Sequence, residues 1–265
     1  MRKMKKMSAA EKHEDIRARH IKRQKKRRKR KLFIRSFLLI ALLATVGGVL
    51  LFLTPWFNVA QIDVIGNSQV QTDSIIAQSG VYYGANIFKL STSYACEKIS
   101  QMPYIKSVQV KRKLPNKIEI NVQESHVAAC VANNGGYVTI DEDGKCLEII
   151  SQPPENCMQI LGFELKEFKP GQKIKVDVDE KFDIIILCIS EFEKNEILSS
   201  VTSLDITNTV DVKFTYENRL TVFCGDLNNI NRKLLTFNEI AFNQLSPNAR
   251  GEIDLRIDGK FYYRP

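Results

Sequence analysis

From Ser36 to Phe57 the chain reads SFLLIALLATVGGVLLFLTPWF, without one charged side chain. As a helix rising about 1.5 Å per residue this stretch reaches roughly 33 Å, enough to cross a hydrocarbon core of about 30 Å with every backbone N–H and C=O satisfied internally. Arg35 falls at one edge, where a long side chain reaches the headgroups, and Trp56 and Phe57 fall at the other. A buried core helix and a cleaved signal peptide compete for the same residues. The long basic region ahead of the stretch, its length, and the lack of a small-x-small site before Gln61 favour an uncleaved anchor.

Past the anchor the period changes. VAQIDVIGN alternates apolar and polar positions and stops at Gly66-Asn67, which predicts a strand and a turn. Thr72 is placed to cap a short helix through Ile75 and Ile76 that Gly80 closes. Ser91 is placed to cap a second helix, with Ala95, Ile99 and Met102 on one face and Pro103 at its end. Two strands follow, Ile105 to Lys113 and Lys117 to Gln123, joined at Leu114-Pro115-Asn116. The order β-α-α-β-β predicts a sheet with both helices on one face.

A second run of elements begins at Val127. Strands are predicted over Val127 to Val131, Tyr137 to Ile140, Val201 to Ile206, Val210 to Tyr216 and Arg219 to Cys224. Phe182, Ile185, Ile186, Ile189 and Phe192 have helical spacing, predicting a helix from Asp179 to Glu193, and Asn228 to Gln244 predicts another. Gly251 to Ile257 and Lys260 to Tyr263 read as a final hairpin turning tightly at Asp258-Gly259. The fold class is therefore α+β: a basic cytoplasmic tail (1–31), one transmembrane helix (32–57), a β-α-α-β-β domain (58–126) and a mixed, mostly antiparallel β domain with two helices (127–265).

Charge sets the orientation. Residues 1–31 hold sixteen Lys/Arg against three acids, a net +13, whereas the rest holds 23 bases and 27 acids, a net −4. The high isoelectric point thus belongs to an arm and not to a nucleic-acid-binding fold. With nine bases among Lys22 to Lys31 and none in Asn58 to Asp63, the positive-inside rule places the N-terminus in the cytoplasm and the later domains outside. The arm is expected to attract anionic membrane lipids at about 1 kcal/mol per base near the surface. No aromatic residue precedes Phe33 to stack a base, so no nucleic acid is expected.

Catalytic, cofactor and metal sites are not expected. The one His outside the arm, His126, has no partner at ligand spacing, and no phosphate loop or nucleophile elbow is present. Asp141-Glu142-Asp143-Gly144 fails as a calcium loop, with Cys146 and Gln152 at positions that need Gly and Glu, and reads as a hairpin turn. Six Cys with no C-x-x-C pair (96, 130, 146, 157, 188, 224) are read as free thiols ahead of a disulfide framework.

The stretch VAQIDVIGNSQV…SGVYYGANIFKL…MPYIKSVQVKRKLPNKIEINVQE resembles the POTRA domain of the bacterial division family FtsQ/DivIB. The resemblance lies in the strand ending in Gly-Asn, the Gly84-x-Asn86-Ile87-Phe88 loop, Pro103 before Ile105 to Val110, the bases leading to Pro115, and Glu124. Leu114 and Ser125-His126 depart from the commonest pattern. YVTIDEDGKC, ILGFELKEFKPGQ, Arg232-Lys233-Leu234 and GEIDLR resemble successive landmarks of that family's β domain. The resemblance implies a non-enzymatic protein of the cell membrane and division septum. Its β domain would recruit small single-pass division proteins (FtsB/DivIC-like and FtsL-like) to the septal peptidoglycan synthase complex by strand addition. The implied contact residues are Arg256, Ile257, Gly259, Phe261 and Tyr263. A wall-facing enzyme or ligand sensor would need convergent carboxylates, and the acids here are scattered or in turns; a POTRA-type transport chaperone would need repeats or a barrel.

Overall fold

A computed structural model describes Lys29 and residues 31–49, 54–155, 157–257 and 259–265. Most of the basic arm, and the lipid attraction read from it, lies outside the described residues. Helix α1, Lys31–Val49, is the one described helix long and apolar enough to cross a membrane. Trp56 and Phe57, read above with the span, instead form a 3-10 turn with Pro55. Phe57 packs into the next domain and its ring lies 5.2 Å from that of Phe88.

The first sheet has the order β1 (Gln61–Ile65), β3 (Lys117–Glu124), β2 (Ile105–Lys113), with β1 parallel and β2 antiparallel to β3. Helices α2 (Thr72–Ser79) and α3 (Thr92–Ser100) supply Ile75, Ala95 and Ile99 to a core shared with Ile105, Ile118 and Ile120. The sheet residues recur every second position because one face of the strand is buried. Ser91 caps α3 by accepting the Tyr94 amide, and Gly80 closes α2 in the left-handed conformation, as read. Thr72 does not cap α2. It is the first helical residue, Gln71 holds the cap position without a side-chain bond, and the Thr72 hydroxyl accepts from the Asn67 amide.

The second sheet has nine strands in the order β14-β13-β12-β11-β10-β7-β4-β5-β6. These are β4 (Ala129–Asn133), β5 (Gly136–Ile140), β6 (Cys146–Ile150), β7 (Met158–Leu161), β10 (Val201–Asp205), β11 (Val212–Tyr216), β12 (Leu220–Gly225), β13 (Gly251–Asp254) and β14 (Tyr262–Arg264). A ribbon of β8 (Leu165–Glu167) and β9 (Lys175–Val176) stands apart. Helices α4 (Asp179–Lys194) and α5 (Ile230–Glu239) pack on the large sheet through Phe192, Phe214 and Phe237, whose successive ring centroids lie 5.0 and 5.3 Å apart. Strand β4 starts two residues later than read, and α5 gives way to a π-helical segment, Ile240–Gln244. Asp141 builds a turn: its carboxylate accepts the Asp143 and Lys145 amides and the Ser125 hydroxyl. All six cysteines are free thiols, and burial pushes Cys224 up to about 12.

Contacts join the two sheets at the end where β3 leads into β4. The Lys145 ammonium donates to the carbonyls of Ser100, Met102 and Ile105 at 3.0, 2.7 and 2.7 Å, satisfying its three donors where α3 turns into β2. Loss of hydration there lowers its pKa. Gly171 lies so close that a Cβ would come 2.0 Å from the Gln101 carbonyl.

Candidate functional site: the free edge of the large sheet

The sheet ends on one side at β14, a three-residue strand paired only with β13. Register fixes which of its backbone groups face outward. Gly251 and Leu255 donate their amides toward β12, to Arg219 at 3.1 Å and Phe223 at 2.9 Å. Alternation therefore turns Ile253 toward β12 as well, and Glu252 and Asp254 toward β14. Glu252 pairs with Arg264 and Asp254 with Tyr262, so both bonded pairs of the ladder lie at its ends. Tyr263, opposite Ile253, is left with its N–H and C=O pointing away from the sheet. Among the described residues no strand covers them.

The five residues singled out in the sequence fall at this edge but differ in what they offer. Tyr263 is half-buried against the core, and its hydroxyl donates to the Arg250 carbonyl at 2.7 Å. Phe261 immediately precedes β14 and is 41 % exposed; Ile257 is 54 % exposed. Arg256 is engaged within the fold. It donates twice to the Asp254 carboxylate, at 2.9 and 2.5 Å, approaches Asp211 at 3.8 Å, and lies 5.3 Å from the centre of the Phe223 ring. The guanidinium holds the Asp254 carboxyl below the usual carboxylate range. Gly259 adopts φ +76° with nothing within 4 Å of a Cβ, so the conformation and not crowding calls for glycine.

The chain does turn between Ile257 and Lys260, whose amide donates to the Ile257 carbonyl at 3.0 Å, but the paired strands on either side are shorter than read. Strand β13 stops at Asp254 and β14 starts at Tyr262, because the Asp254 carboxylate accepts the Arg256 amide and bends the chain out of the ladder. Asp258 lies outside the described residues. Tyr262, 51 % exposed, is one of three adjacent aromatics in the sequence but not one of the five implied contacts; strand alternation from Tyr263 places it on the opposite face.

Behind the edge, Lys233 anchors α5. Its buried ammonium donates to the Cys224 and Asp226 carbonyls and the Asp226 carboxylate at 2.8, 2.7 and 3.0 Å, which lowers the Asp226 pKa. The crevice between α5 and the β13–β14 connection, lined by Lys233, Thr236, Leu255 and Ile257, measures only about 10 Å³, less than a small ligand needs. A larger open cavity of about 500 Å³ beside the β8–β9 ribbon is lined mainly by Lys166, Lys169, Lys173 and Lys175, and its one carboxylate, Glu167, is paired with Lys175 at 2.8 Å.

The POTRA domain family of FtsQ type matches residues 57–125, the three-stranded sheet and its helices. The chain is 32 % identical over 210 residues to the cell division protein DivIB of Clostridium acetobutylicum, which covers 79 % of this chain and 83 % of that one. The chain belongs to the DivIB/FtsQ family. It is 30 % identical over 244 residues to DivIB of Clostridium botulinum, covering 91 % of this chain and 93 % of the relative. It is 30 % identical over 123 residues to the cell division protein FtsQ of Corynebacterium glutamicum, covering 46 % of this chain and 55 % of that one. Its role is accordingly in cell division, in a chain with one N-terminal helix fit to cross a membrane.

One residue of the DivIB/FtsQ pattern gains a physical reason here. Glu124, at the end of β3, accepts the Ser68 hydroxyl at 2.6 Å, the Val70 amide at 2.8 Å and the Gln69 amide at 2.9 Å. Burial alone would raise its pKa. The bonds from Gln69, Ser68 and Val70 outweigh burial and hold it at about 2. The carboxylate thus ties the loop after β1 to the end of the neighbouring parallel strand β3.

Proposed function

We propose that this chain is a non-enzymatic member of the division machinery whose β14 edge receives a strand from small single-pass division proteins of the FtsB/DivIC and FtsL type. By holding them, it would bring them to the septal peptidoglycan synthase complex, with its N-terminus in the cytoplasm and both sheet domains outside. One observation carries the reading: the outward N–H and C=O of Tyr263 sit at an uncovered sheet edge, flanked by exposed Phe261 and Tyr262. An unpaired edge is a template for strand addition, and neighbouring aromatic side chains supply the buried contacts that anchor an interface. Ile257 and Gly259 would border the added strand, and Arg256 would act from the side by keeping the connection bent around Asp254. The basic arm would attract anionic lipids on the cytoplasmic face.

A photo-crosslinking side chain placed at Phe261 in dividing cells is expected to capture a small single-pass membrane protein. The same probe at Ile149, exposed on β6 at the opposite edge of the sheet, is expected to capture none. Capture from Ile149 but not from Phe261 would contradict the proposal.

A further inference from the structure

Where the chain enters the POTRA domain, two short segments are laced together. The Phe57 carbonyl accepts the Ile87 amide, the Val59 amide donates to Ala85, and the Gly84 amide donates to Val59, each at 2.8 Å. Asn58 and Asn86 form an antiparallel bridge between them. Arg112 fixes the second segment from behind, donating to the Ile87 and Leu90 carbonyls at 3.0 and 2.6 Å. This laced unit presents aromatic rings outward: Trp56 is 78 % exposed, Tyr82 64 % and Tyr83 59 %, with Phe88 beside Phe57.

Covalent reach limits where the unit can sit. Trp56 lies seven residue steps beyond Val49, the last described residue of α1, and an extended chain spans at most about 3.5 Å per step, so Trp56 lies within roughly 25 Å of that helix end. Its charge also fits a lipid surface. No carboxylate occurs from Val49 to Ile62 or from Ser74 to Cys96, and the single charged side chain in those two stretches is Lys89, which is exposed. Trp and Tyr concentrate at membrane interfaces because one end of each ring system is apolar and the other forms hydrogen bonds.

We propose that the laced segments 55–59 and 82–88 form an aromatic foot that rests in the headgroup layer of the leaflet into which α1 emerges, so that the POTRA domain lies against the bilayer. The proposal rests on α1 being the span. The foot would set the tilt and height of the POTRA domain, and through the Lys145 contacts those of the β14 edge.

Trp56 is the sole tryptophan of the chain, so the foot can be probed by moving it. In the full chain carrying Trp56→Phe, Tyr83→Trp places the reporter on the foot, and Leu43→Trp places it in α1. Each protein is reconstituted without other proteins in phosphatidylcholine–phosphatidylglycerol vesicles, with and without bromine on the acyl chains. Leu43→Trp is expected to lose at least half its emission in brominated vesicles, and Tyr83→Trp to be quenched less but measurably and to shift to the blue. A quenched Leu43→Trp beside an unquenched, water-like Tyr83→Trp would overturn the foot and leave the span intact. Loss of quenching at Leu43→Trp would overturn the span and the foot with it. Tyr82→Trp repeats the measurement at the neighbouring exposed ring, so the outcome does not hang on one substitution.

Discussion

Tyr263→Pro is expected to abolish partner capture while leaving the large sheet folded. Proline removes the outward N–H and cannot join a ladder on that side, and the acceptor it leaves unpaired costs about 1–3 kcal/mol, at the upper end about a hundredfold in affinity. The bonds of β14 to β13 run through Tyr262 and Arg264 and are untouched, so proline is tolerated at this position as it is on edge strands generally. Tyr263→Ala is the control for the side chain. It loses the packing and the bond to the Arg250 carbonyl but keeps the outward N–H, and is expected to retain capture within about tenfold. Co-purification from membranes checks both. Equal loss in the two variants would assign the contact to the side chain and not to the backbone edge. Gly259→Pro is a poorer test, since φ +76° is closed to proline and the whole connection would rearrange.

The largest stability effect is expected at Glu124. Its folded pKa of about 2 lies below the unfolded value near 4.5, so the stabilisation is fully present above about pH 5 and is lost as the pH falls toward 2. The shift corresponds to about 3 kcal/mol. Glu124→Gln keeps one acceptor but turns an amide donor toward the Ser68–Val70 loop, leaving buried donors facing one another. It is expected to cost about 2–3 kcal/mol in urea unfolding at pH 7. More specifically, the stability difference between wild type and variant should shrink between pH 5 and pH 2.5. A difference independent of pH would show that the carboxylate's charge is not what holds the loop.

Both predictions rest on features of unequal visibility in the sequence. The POTRA elements were legible because each is written locally: the two-residue period of Ile118, Ile120 and Val122, the Ser91 cap, and Gly80 after α2. Helix α4 was equally plain from the spacing of Phe182 to Phe192. The order of the large sheet was not legible. Parallel pairings of β7 with both β4 and β10, and of β13 with β12, join segments that no hairpin turn connects, and β6, β8 and β9 carry too little periodic signal.

The edge itself was half legible. The terminal hairpin is legible from its turn dipeptide, but the outward face of Tyr263 depends on the parity of bonds that begin at Arg219, more than forty residues earlier. Arg256 enters as a contact residue through the family resemblance, which says nothing of its neighbours in the fold. Its carboxylate partner lies two residues before it, and the two become a clamp only because the chain bends there. Glu124 was visible as a landmark without a reason, since its partners at Ser68 to Val70 are 54 to 56 residues away.

Amide hydrogen exchange over Phe261–Arg264 tests the central claim most directly, comparing the chain alone with the chain bound to its co-purified single-pass partner. The Tyr263 amide is expected to exchange freely in the chain alone and to become protected in the complex, while the Tyr262 and Arg264 amides, already bonded to β13, change little. Protection of the Phe261 and Tyr262 side chains from labelling with no change at the Tyr263 amide would contradict strand addition.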